Sequence, residues 1–435
     1  MRVLVLGGGS SQINLIKRTR ESGHEVVLAD MDGNAPGRRW ADRFVQVSTF
    51  DVDGVSAAVR THGIEAVITA GTDQPVLTAA VASDRANLFH PLSPKTAKEV
   101  TNKREMKRAL RDAGIPTAPW RIIPKTAARE AVESFTADTT APWVVKPLDS
   151  QGQRGVMKLS SPEAVVEALP YVRSFSREED VLMEEYYPSR EITVSGWVCT
   201  GEPRTFAVVD RVTRENNRSI GVCVAHRYPS SYLERYAVSR REIDDLTRRI
   251  VSTFGIESGP LYFQYLLGAR GVIVNEIACR LGGAYEDLTQ PAALGIDPVH
   301  YLLESLGEPG GEYSDVSEDV RRLYGGATHR DNPGKPFSVA LLFAQPGRVE
   351  GYGGVDAAER IPGVIEVRFL LPPGTVIRDI ANSTQRIGYA IVVGESARAV
   401  DGAVGALFDT LAVYAPDGTN LLINTARRCM LSGDE

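Results

Sequence analysis

The first 70 residues alternate between short apolar runs and a helical pattern, and this alternation constrains the fold more than any other feature of the chain. Runs at 3–6, 26–29 and 66–69 have the length and composition of buried strands, and segment 12–22 carries apolar residues at helical spacing. Parallel strands need long crossover connections, which helices usually supply. The sequence therefore predicts an N-terminal parallel βαβ domain, which we assign to residues 1–92.

A glycine-rich turn at residues 7–9 follows the first run, and Asp30 ends the second, as in dinucleotide-binding folds. Gln12 replaces the third glycine of the G-x-G-x-x-G pattern. We interpret the turn as a packing feature that lets a helix approach its strand closely. A nicotinamide-dependent oxidoreductase is the alternative that this turn alone suggests.

The net charge and the cysteine content limit the classes of binding partner that the sequence suggests. The net charge is −6 and no basic block occurs, which argues against a protein that neutralises nucleic-acid phosphates. The four cysteines form no C-x-x-C pair, and the first apolar run is too short for a signal peptide or a membrane span. We therefore expect a cytoplasmic protein with small-molecule partners and no nucleic-acid or membrane partner.

From residue 93 onward the pattern becomes α+β. A single helix is predicted from Ser93, which is followed by a proline at the first helical position, to about Arg111. A third region follows the loop at 324–334. The remaining predicted elements are strands at 144–146, 181–185, 192–198, 205–212, 222–225, 338–343, 364–370 and 387–393, and helices at 234–254 and 397–411.

A lysine at a strand end introduces the first chemical motif. Lys146 ends the apolar run 143–145, and the loop 149–156 that follows contains Gly152 and Gly155. A flexible glycine loop beside an ammonium group suits an oligophosphate, although the spacing is not that of a P-loop. The alternative is an exposed hairpin.

Segment 183–191 ends one predicted strand and begins the next. Its backbone offers a donor and an acceptor to an adenine edge, and Glu191 is placed to accept from a ribose hydroxyl. The alternative is a solvated turn, since charged residues are mostly exposed.

Two apolar runs at 261–267 and 272–280 flank a glycine-containing turn and predict a hairpin. With a three-residue loop at 269–271, Gln264 faces Glu276 on one sheet face, and Arg280 shares that face if the strand continues. Such a patch fits a hard cation that carries phosphate. The alternative is a surface hairpin with a salt bridge, and a register slip of one residue separates the pair.

The order of these motifs resembles the ATP-grasp superfamily: a helical lysine, a strand lysine, a glycine loop, an acidic hinge and a metal hairpin. Segment 276–283, Glu-Ile-Ala-Cys-Arg-Leu-Gly-Gly, is most similar to the L-amino-acid ligases, as are segments 344–351, 361–364 and 386–389. The resemblance implies a multidomain α/β and α+β chain. It has an N-terminal pre-ATP-grasp domain, an ATP-grasp domain at 93–310 with a small lid at about 115–188, and a small α+β ligase-associated domain at 325–435.

The resemblance also implies roles for individual residues, with ATP and Mg²⁺ (or Mn²⁺) as cofactors. His226 lies in a His-x-x-Pro turn, although a lone histidine is more often structural, and Gln264 stands where these ligases usually carry glutamate. The ATP-binding residues are Lys103, Lys146, Gln151, Gly152, Gly155, Glu184, Glu185, Tyr187 and Glu191; the metal ligands are Gln264 and Glu276; the substrate-binding residues are His226, Arg280, Gly282 and Gly283; and Arg280 and Lys146 are catalytic.

The implied activity is an ATP-dependent carboxylate–amine ligase that joins small amino acids through an acyl phosphate and releases ADP and phosphate. A homodimer is expected. The alternatives are a bicarbonate- or formate-activating ligase of the same superfamily and, because of Gln264, a non-catalytic ATP-binding regulator. The sequence does not identify the acid or the amine.

Overall fold

The N-terminal part of the chain is a parallel α/β layer with the strand order β3-β2-β1-β4, as predicted. The structure is a computed structural model that describes residues 1–214, 220–306 and 334–426. Val3 and Val5 pack with one set of helical side chains, and Leu4 and Leu6 pack with another, so both sheet faces are covered. The elements are β1 (Arg2–Leu6), α1 (Ile13–Glu21), β2 (Glu25–Asp30), β3 (Arg43–Gln46), α2 (Val52–His62), β4 (Ala66–Ile68) and α3 (Gln74–Arg85).

The helix predicted from Ser93 to Arg111 is two helices, α4 (Pro94–Thr101) and α5 (Lys103–Asp112). Asn102 interrupts them because its backbone is extended and its side chain caps α5, accepting from Arg104 N at 3.0 Å. The break places Lys103 at the first position of α5.

A small four-stranded antiparallel sheet follows, in the order β5-β8-β6-β7, with two helices packed on it. It lies inside the segment expected for the lid. Its elements are β5 (Trp120–Ile123), α6 (Ala128–Asp138), β6 (Trp143–Pro147), β7 (Met157–Leu159), α7 (Pro162–Arg173) and β8 (Val181–Glu185).

The largest sheet begins with five antiparallel strands of the central region. The helix predicted at 234–254 is again two helices, because a capping box formed by Ser239 and Glu242 starts a new helix after residue 239. The elements are β9 (Ser189–Cys199), β10 (Glu202–Arg214), β11 (Val222–Tyr228), α8 (Tyr232–Arg235), α9 (Arg240–Thr253), β12 (Gly259–Gly268), β13 (Gly271–Ala278), α10 (Glu286–Leu294) and α11 (Pro298–Glu304).

The C-terminal strands extend this sheet, because His226 on β11 pairs with Val339. The C-terminal elements are β14 (Phe337–Leu342), β15 (Gly347–Arg348), β16 (Gly351–Gly353), α12 (Val355–Ala358), β17 (Val364–Phe369), β18 (Val376–Ile377), β19 (Gly388–Val393), α13 (Ala397–Thr410) and β20 (Ala412–Tyr414). The eight-stranded order is β13-β12-β9-β10-β11-β14-β19-β17. The domain boundary expected between 310 and 325 lies outside the described residues.

The multidomain α/β and α+β class predicted from the sequence is confirmed. Within the described part of the chain, no helix is both long and apolar enough to cross a bilayer.

Candidate active site

A cavity of about 760 Å³ lies where the N-terminal loops, the small sheet, the large sheet and the C-terminal segment meet. Its volume is in the range that accommodates small-molecule ligands. Most of the residues assigned from the sequence to ATP, metal and substrate binding line it. Gly155 and Gly282 are the exceptions, and they do not belong to the cavity wall.

Lys103 connects the glycine loop with the hairpin. Its Nζ donates to the Ser150 carbonyl oxygen at 2.9 Å and lies 3.0 Å from Glu276 Oε1. Burial raises the pKa of Glu276, but the charge of Lys103, with that of Lys146 and Arg280, outweighs burial and lowers it. The carboxylate is therefore ionised and held beside an ammonium group.

Lys146 and Lys107 bind the same carboxylate, that of Glu184. Lys107 Nζ lies 2.5 Å from Glu184 Oε1, and Lys146 pairs with Oε2. Burial raises the pKa of Glu184, but the two ammonium groups outweigh burial and hold the pKa at about 2. The Glu184 side chain is thus paired with Lys107 and Lys146, which leaves only its backbone for the adenine contact predicted from the sequence.

Lys107 was missed in the sequence. It lies four residues after Lys103, so both lysines share one face of α5, and that spacing is the signal that identifies it. Its side chain is 2% exposed, and both residues line the cavity.

The glycine loop is anchored to both the N-terminal and the C-terminal parts of the chain. Gln151 Oε1 accepts from Asp73 N at 2.7 Å, and the Gly152 carbonyl oxygen accepts from Ser383 N at 3.3 Å. Gly155 has φ +75°, and a Cβ there would lie 2.8 Å from Phe175 and Pro147. Gly155 is therefore required by packing, while Gly152 borders the cavity.

The hinge residues have different partners. Glu185 pairs with Arg270 at 3.0 Å. The Tyr187 hydroxyl donates to the Gly271 carbonyl oxygen at 2.8 Å and accepts from Arg270 N at 2.8 Å, so it fixes the hairpin turn. The polar groups of Glu185, Tyr187 and Arg270 therefore lie together at the hairpin turn. Glu185 and Tyr187 also line the cavity.

Glu191 forms an ion pair with Arg211, a buried residue of β10. Both side chains line the cavity. A ribose hydroxyl at Glu191 would therefore meet a carboxylate whose charge is already neutralised.

The predicted pairing of Gln264 with Glu276 is confirmed, but the predicted loop is wrong. Gly268 pairs with Gly271, so the turn has two residues, Ala269 and Arg270. That turn alone would shift the register by one residue. A β-bulge at Asn275 restores the pairing, because two residues of β13 oppose one of β12 there.

Asn275 is a second residue that the sequence analysis missed. Its Oδ1 accepts from Lys146 Nζ at 3.2 Å, and it lines the cavity beside Glu276. A bulge is not visible in an alternating apolar pattern, so no simple sequence signal identifies this position.

The side-chain oxygens on the hairpin are of the kinds that bind Mg²⁺. Glu276 offers a carboxylate and Gln264 an amide oxygen at paired positions, and Mg²⁺ is usually bound by one or two carboxylates together with substrate phosphates. Among the described residues no cluster of three or more His, Cys, Asp or Glu side chains forms a dedicated metal cage.

Arg280 is held by a residue of the N-terminal domain. Its Nη2 and Nε lie 2.5 Å and 2.7 Å from Asp73 Oδ1. Gly283 packs directly on that domain, since a Cβ there would lie 2.8 Å from the Gly71 carbonyl oxygen. Gly282 N donates to Glu286 Oε2 at 2.6 Å, which fixes the loop behind the cavity.

His226 is buried in the cavity wall on β11. Its Nε2 lies 3.2 Å from Cys223 Sγ. Burial first, then the charges of Arg211 and Arg386, lower the pKa of His226 to about 3. The imidazole is therefore neutral near pH 7.

The N-terminal glycine turn is occupied by the chain itself. Gly8 N donates to Asp30 Oδ2 at 2.7 Å, and Gln12 Nε2 donates to the Ala70 carbonyl oxygen at 2.6 Å. Gly37 N donates to the Gly8 carbonyl oxygen at 2.8 Å. These contacts support the packing interpretation of the turn.

Two family models match parts of the chain. The L-amino acid ligase C-terminal domain 2 matches residues 340–414. The D-ala D-ala ligase C-terminus matches residues 109–226.

Curated relatives are distant. The uncharacterized protein y4rH of Sinorhizobium fredii is 24% identical over 415 residues, which cover 90% of this chain and 78% of that protein. The formate-dependent phosphoribosylglycinamide formyltransferase of Mycolicibacterium vanbaalenii is 27% identical over 179 residues, which cover 40% of this chain and 44% of that enzyme. The match thus spans less than half the length of this formyltransferase.

Solved structures share the fold over nearly the whole chain. The L-amino acid ligase from Bacillus licheniformis superposes with a TM-score of 0.75 at 17% identity, covering 95% of this chain and 99% of that one. The phosphoribosylglycinamide synthetase from Anaerococcus prevotii has a TM-score of 0.70 at 16% identity, with coverages of 95% and 99%. The biotin carboxylase domain of the Hydrogenobacter thermophilus 2-oxoglutarate carboxylase has 0.71 at 16%, with coverages of 99% and 93%.

Proposed function

The chain belongs to the ATP-grasp superfamily, and on that premise we propose that it is an ATP-dependent carboxylate–amine ligase of the amino-acid ligase type. The proposal rests on one observation. Lys103, Lys146 and Glu276 line the same cavity, and its wall also includes Leu341 and Arg368, which belong to the segment that matches the L-amino acid ligase domain.

Lys103 and Lys146 are placed to hold the ATP phosphates. At the cavity wall, Lys103 contacts the carboxylate of Glu276 and Lys146 contacts the carboxylate of Glu184. Phosphate oxygens entering the cavity add negative charge that these lysines offset, and positioning plus charge stabilisation is the main requirement of phosphoryl transfer. Solved relatives support the nucleotide, since the Hydrogenobacter carboxylase domain was solved with MgADP and an N5-carboxyaminoimidazole ribonucleotide synthetase with ADP.

Glu276 and Gln264 would hold the Mg²⁺ of the nucleotide. A bound Mg²⁺ supplies neutralisation of the phosphate charge. Glu276 contributes the only carboxylate of the strand pair, and Lys103 at 3.0 Å keeps that carboxylate ionised.

The reaction proceeds in two displacements. A substrate carboxylate oxygen attacks the γ-phosphorus, the bond to the ADP oxygen breaks, and an acyl phosphate forms. The amine nitrogen then bonds to the acyl carbon, phosphate leaves with the C–O bond electrons, and the nitrogen releases a proton. Arg280, fixed by Asp73, is placed to stabilise the oxyanion that forms as the amine adds.

A phosphate-release screen over pairs of L-amino acids, with mass spectrometry of the products, tests the proposal. We expect ADP, phosphate and an amide in equal amounts for at least one pair. Lys146→Ala should abolish turnover, whereas Lys95→Ala, at an 84% exposed lysine, should not. ADP formation without any amide contradicts the proposal, and no ADP with any pair favours the non-catalytic regulator.

A second candidate is a formate- or bicarbonate-activating ligase. The similarity to the formyltransferase over 40% of this chain supports it. Phosphate release that depends on formate or bicarbonate, with a formylated or carboxylated product, would distinguish it from the amino-acid ligase.

A further inference from the structure

A second cavity, of about 150 Å³, adjoins the main one, and we call it the side cavity. It lies between α1 of the N-terminal domain, the start of α10, and strands β17 and β19. Ser10, Ile13, Arg368 and Leu370 line both cavities, so the two share a wall. A cavity of this volume holds a group of about six non-hydrogen atoms, the size of a benzene ring. The side cavity therefore has room for one side chain of a substrate that is bound in the main cavity.

Four charged side chains line the side cavity, and one of them, Asp287, is an acid without a counter-ion. Glu366 pairs with Arg368 at 2.6 Å. The Lys17 ammonium group lies 4.2 Å from the centre of the Trp40 ring, and Trp40 does not line the side cavity. Within the described residues, no cationic group lies within ion-pair distance of the Asp287 carboxylate, and no cation is among the charges that shift its pKa.

The surroundings of Asp287 favour a bound cation. Burial, together with the charges of Glu366 and Asp297, raises the pKa of Asp287 to about 6 and outweighs the hydrogen bond from Asn14, which lowers it. Glu366 and Asp297 are each already paired with an arginine. Near pH 7 the Asp287 carboxylate is thus mostly ionised, and a cationic group beside it would offset the free-energy cost of its burial.

Two stacked tyrosines form the aromatic part of the wall. The rings of Tyr285 and Tyr389 have centres 3.6 Å apart and an interplanar angle of 21°. The Tyr389 hydroxyl donates to Glu366 at 3.1 Å. Tyr285 is 3% exposed, and its buried hydroxyl oxygen has no hydrogen-bond partner in the described part of the chain. Rings that pack on methylene groups, beside a carboxylate and a hydroxyl that accept from N–H donors, suit a cation on an aliphatic chain.

We propose that the side cavity binds the positively charged side chain of one of the two amino acids, so that one substrate is a basic L-amino acid such as lysine, ornithine or arginine. This inference rests on the proposed ligase function. The α-amino and carboxyl groups of that substrate stay in the main cavity, and its side chain extends past the residues that line both cavities. A neutral side chain of the same length would leave Asp287 without a counter-ion, and an acidic one would be repelled by it.

Steady-state assays with matched amino acids test the assignment. L-lysine is compared with L-norleucine, which lacks only the side-chain ammonium group, and L-arginine with L-citrulline, at saturating ATP and second amino acid. We expect the KM of the basic amino acid to be at least ~10-fold below that of its neutral analogue. Asp287→Asn should remove this difference by raising the KM of the basic amino acid, with little change for the neutral one. Asp409→Asn, which removes an exposed carboxylate of α13 outside both cavities, serves as the matched control.

Equal KM values for lysine and norleucine in the wild type would overturn the inference, even if Asp287→Asn does not fold. An unchanged preference for the basic amino acid in folded Asp287→Asn would overturn it as well.

A binding measurement separates this inference from the ligase function. With a non-hydrolysable ATP analogue and Mg²⁺ present, L-lysine should raise the melting temperature of the wild type more than L-norleucine does, and this excess should be absent from Asp287→Asn. The excess without amide formation from any pair would refute the ligase function and support the side cavity as a site for a basic amino acid. Amide formation from neutral amino acids, with equal stabilisation by lysine and norleucine, would refute the role of Asp287 and leave the ligase function intact.

Discussion

Replacing Lys107 with methionine should destabilise the protein, because it removes one of the two ammonium groups that neutralise a buried carboxylate. Lys107 is 2% exposed and Glu184 4% exposed in their side chains, and their charged atoms lie 2.5 Å apart. Methionine preserves most of the volume. The change therefore tests the charge and leaves the packing of α5 largely intact.

Two considerations bound the effect from above, because burial outweighs the charge of Glu184 and lowers the pKa of Lys107, so part of the gain from the ion pair offsets the cost of burying that ammonium group. The pKa of Glu184 is about 2 in the folded protein against an ordinary value of 4.5, which corresponds to about 3 kcal/mol of stability shared by Lys107 and Lys146. Breaking a buried ion pair costs about 3–5 kcal/mol when the remaining charge has no partner, and less when it keeps one, as Glu184 keeps Lys146. We expect a loss of about 2 kcal/mol, or roughly 4–8 °C in melting temperature.

Thermal melts of the wild type, Lys107→Met and the control Lys95→Met measure this loss. Lys95 is 84% exposed and 3.9 Å from Glu99, so its replacement should change the melting temperature little. The folded pKa of Glu184 lies below the ordinary value, so its contribution is complete above about pH 4.5 and is lost as the pH falls through about 2. The gap between wild type and Lys107→Met should be constant from about pH 5 to 8 and narrow in more acidic solution. A gap no larger than that of the control at pH 7 would refute the reasoning.

Three further predictions concern the nucleotide, the metal and the N-terminal turn. Lys146→Ala should lose the stabilisation by an ATP analogue seen in the wild type by thermal shift; an unchanged shift would remove Lys146 from the nucleotide site. Glu276→Gln should abolish ADP formation at any practical Mg²⁺ concentration, and Gln264→Glu should lower the Mg²⁺ needed for half-maximal rate; normal activity of the first, or an unchanged titration of the second, would contradict the metal assignment. NADH and NADPH should not stabilise the protein where Mg²⁺–ATP does, because the Asp30 side chain already accepts from Gly8 N; micromolar binding of either would contradict the packing interpretation.

The sequence predicted the regular elements best where a local pattern determines them. The parallel N-terminal sheet follows from alternating strands and helices, and β8 has the predicted bounds, Val181–Glu185. The two split helices show the limit of periodicity. Asn102 and Ser239 are polar and do not belong to the apolar face of a helix. The hydrogen bonds that their side chains form with the first turn of the following helix stabilise a new helix start more than continuation of one helix would.

The hairpin shows that a correct pairing can follow from an incorrect turn. A three-residue loop and a two-residue turn with a bulge at Asn275 both place Gln264 opposite Glu276. They differ in what else faces the cavity, because only the bulged strand brings Asn275 to Lys146. Apolar alternation does not encode this difference.

The charge partners of the predicted residues come from distant segments, which explains why sequence reasoning found Lys103, Lys146 and Arg280 but not the residues that neutralise them. Asp73 lies 207 residues from Arg280, and Ser383, whose backbone N–H holds the glycine loop at Gly152, belongs to the C-terminal segment. A sequence motif identifies a residue that would contact the ligand, whereas the residue that neutralises its charge is brought to it by tertiary contacts. Asp73 and Ser383 each link a different segment to the cavity, so the four parts of the chain that meet there must all be folded before Arg280 and the glycine loop have the positions that the proposed reaction requires.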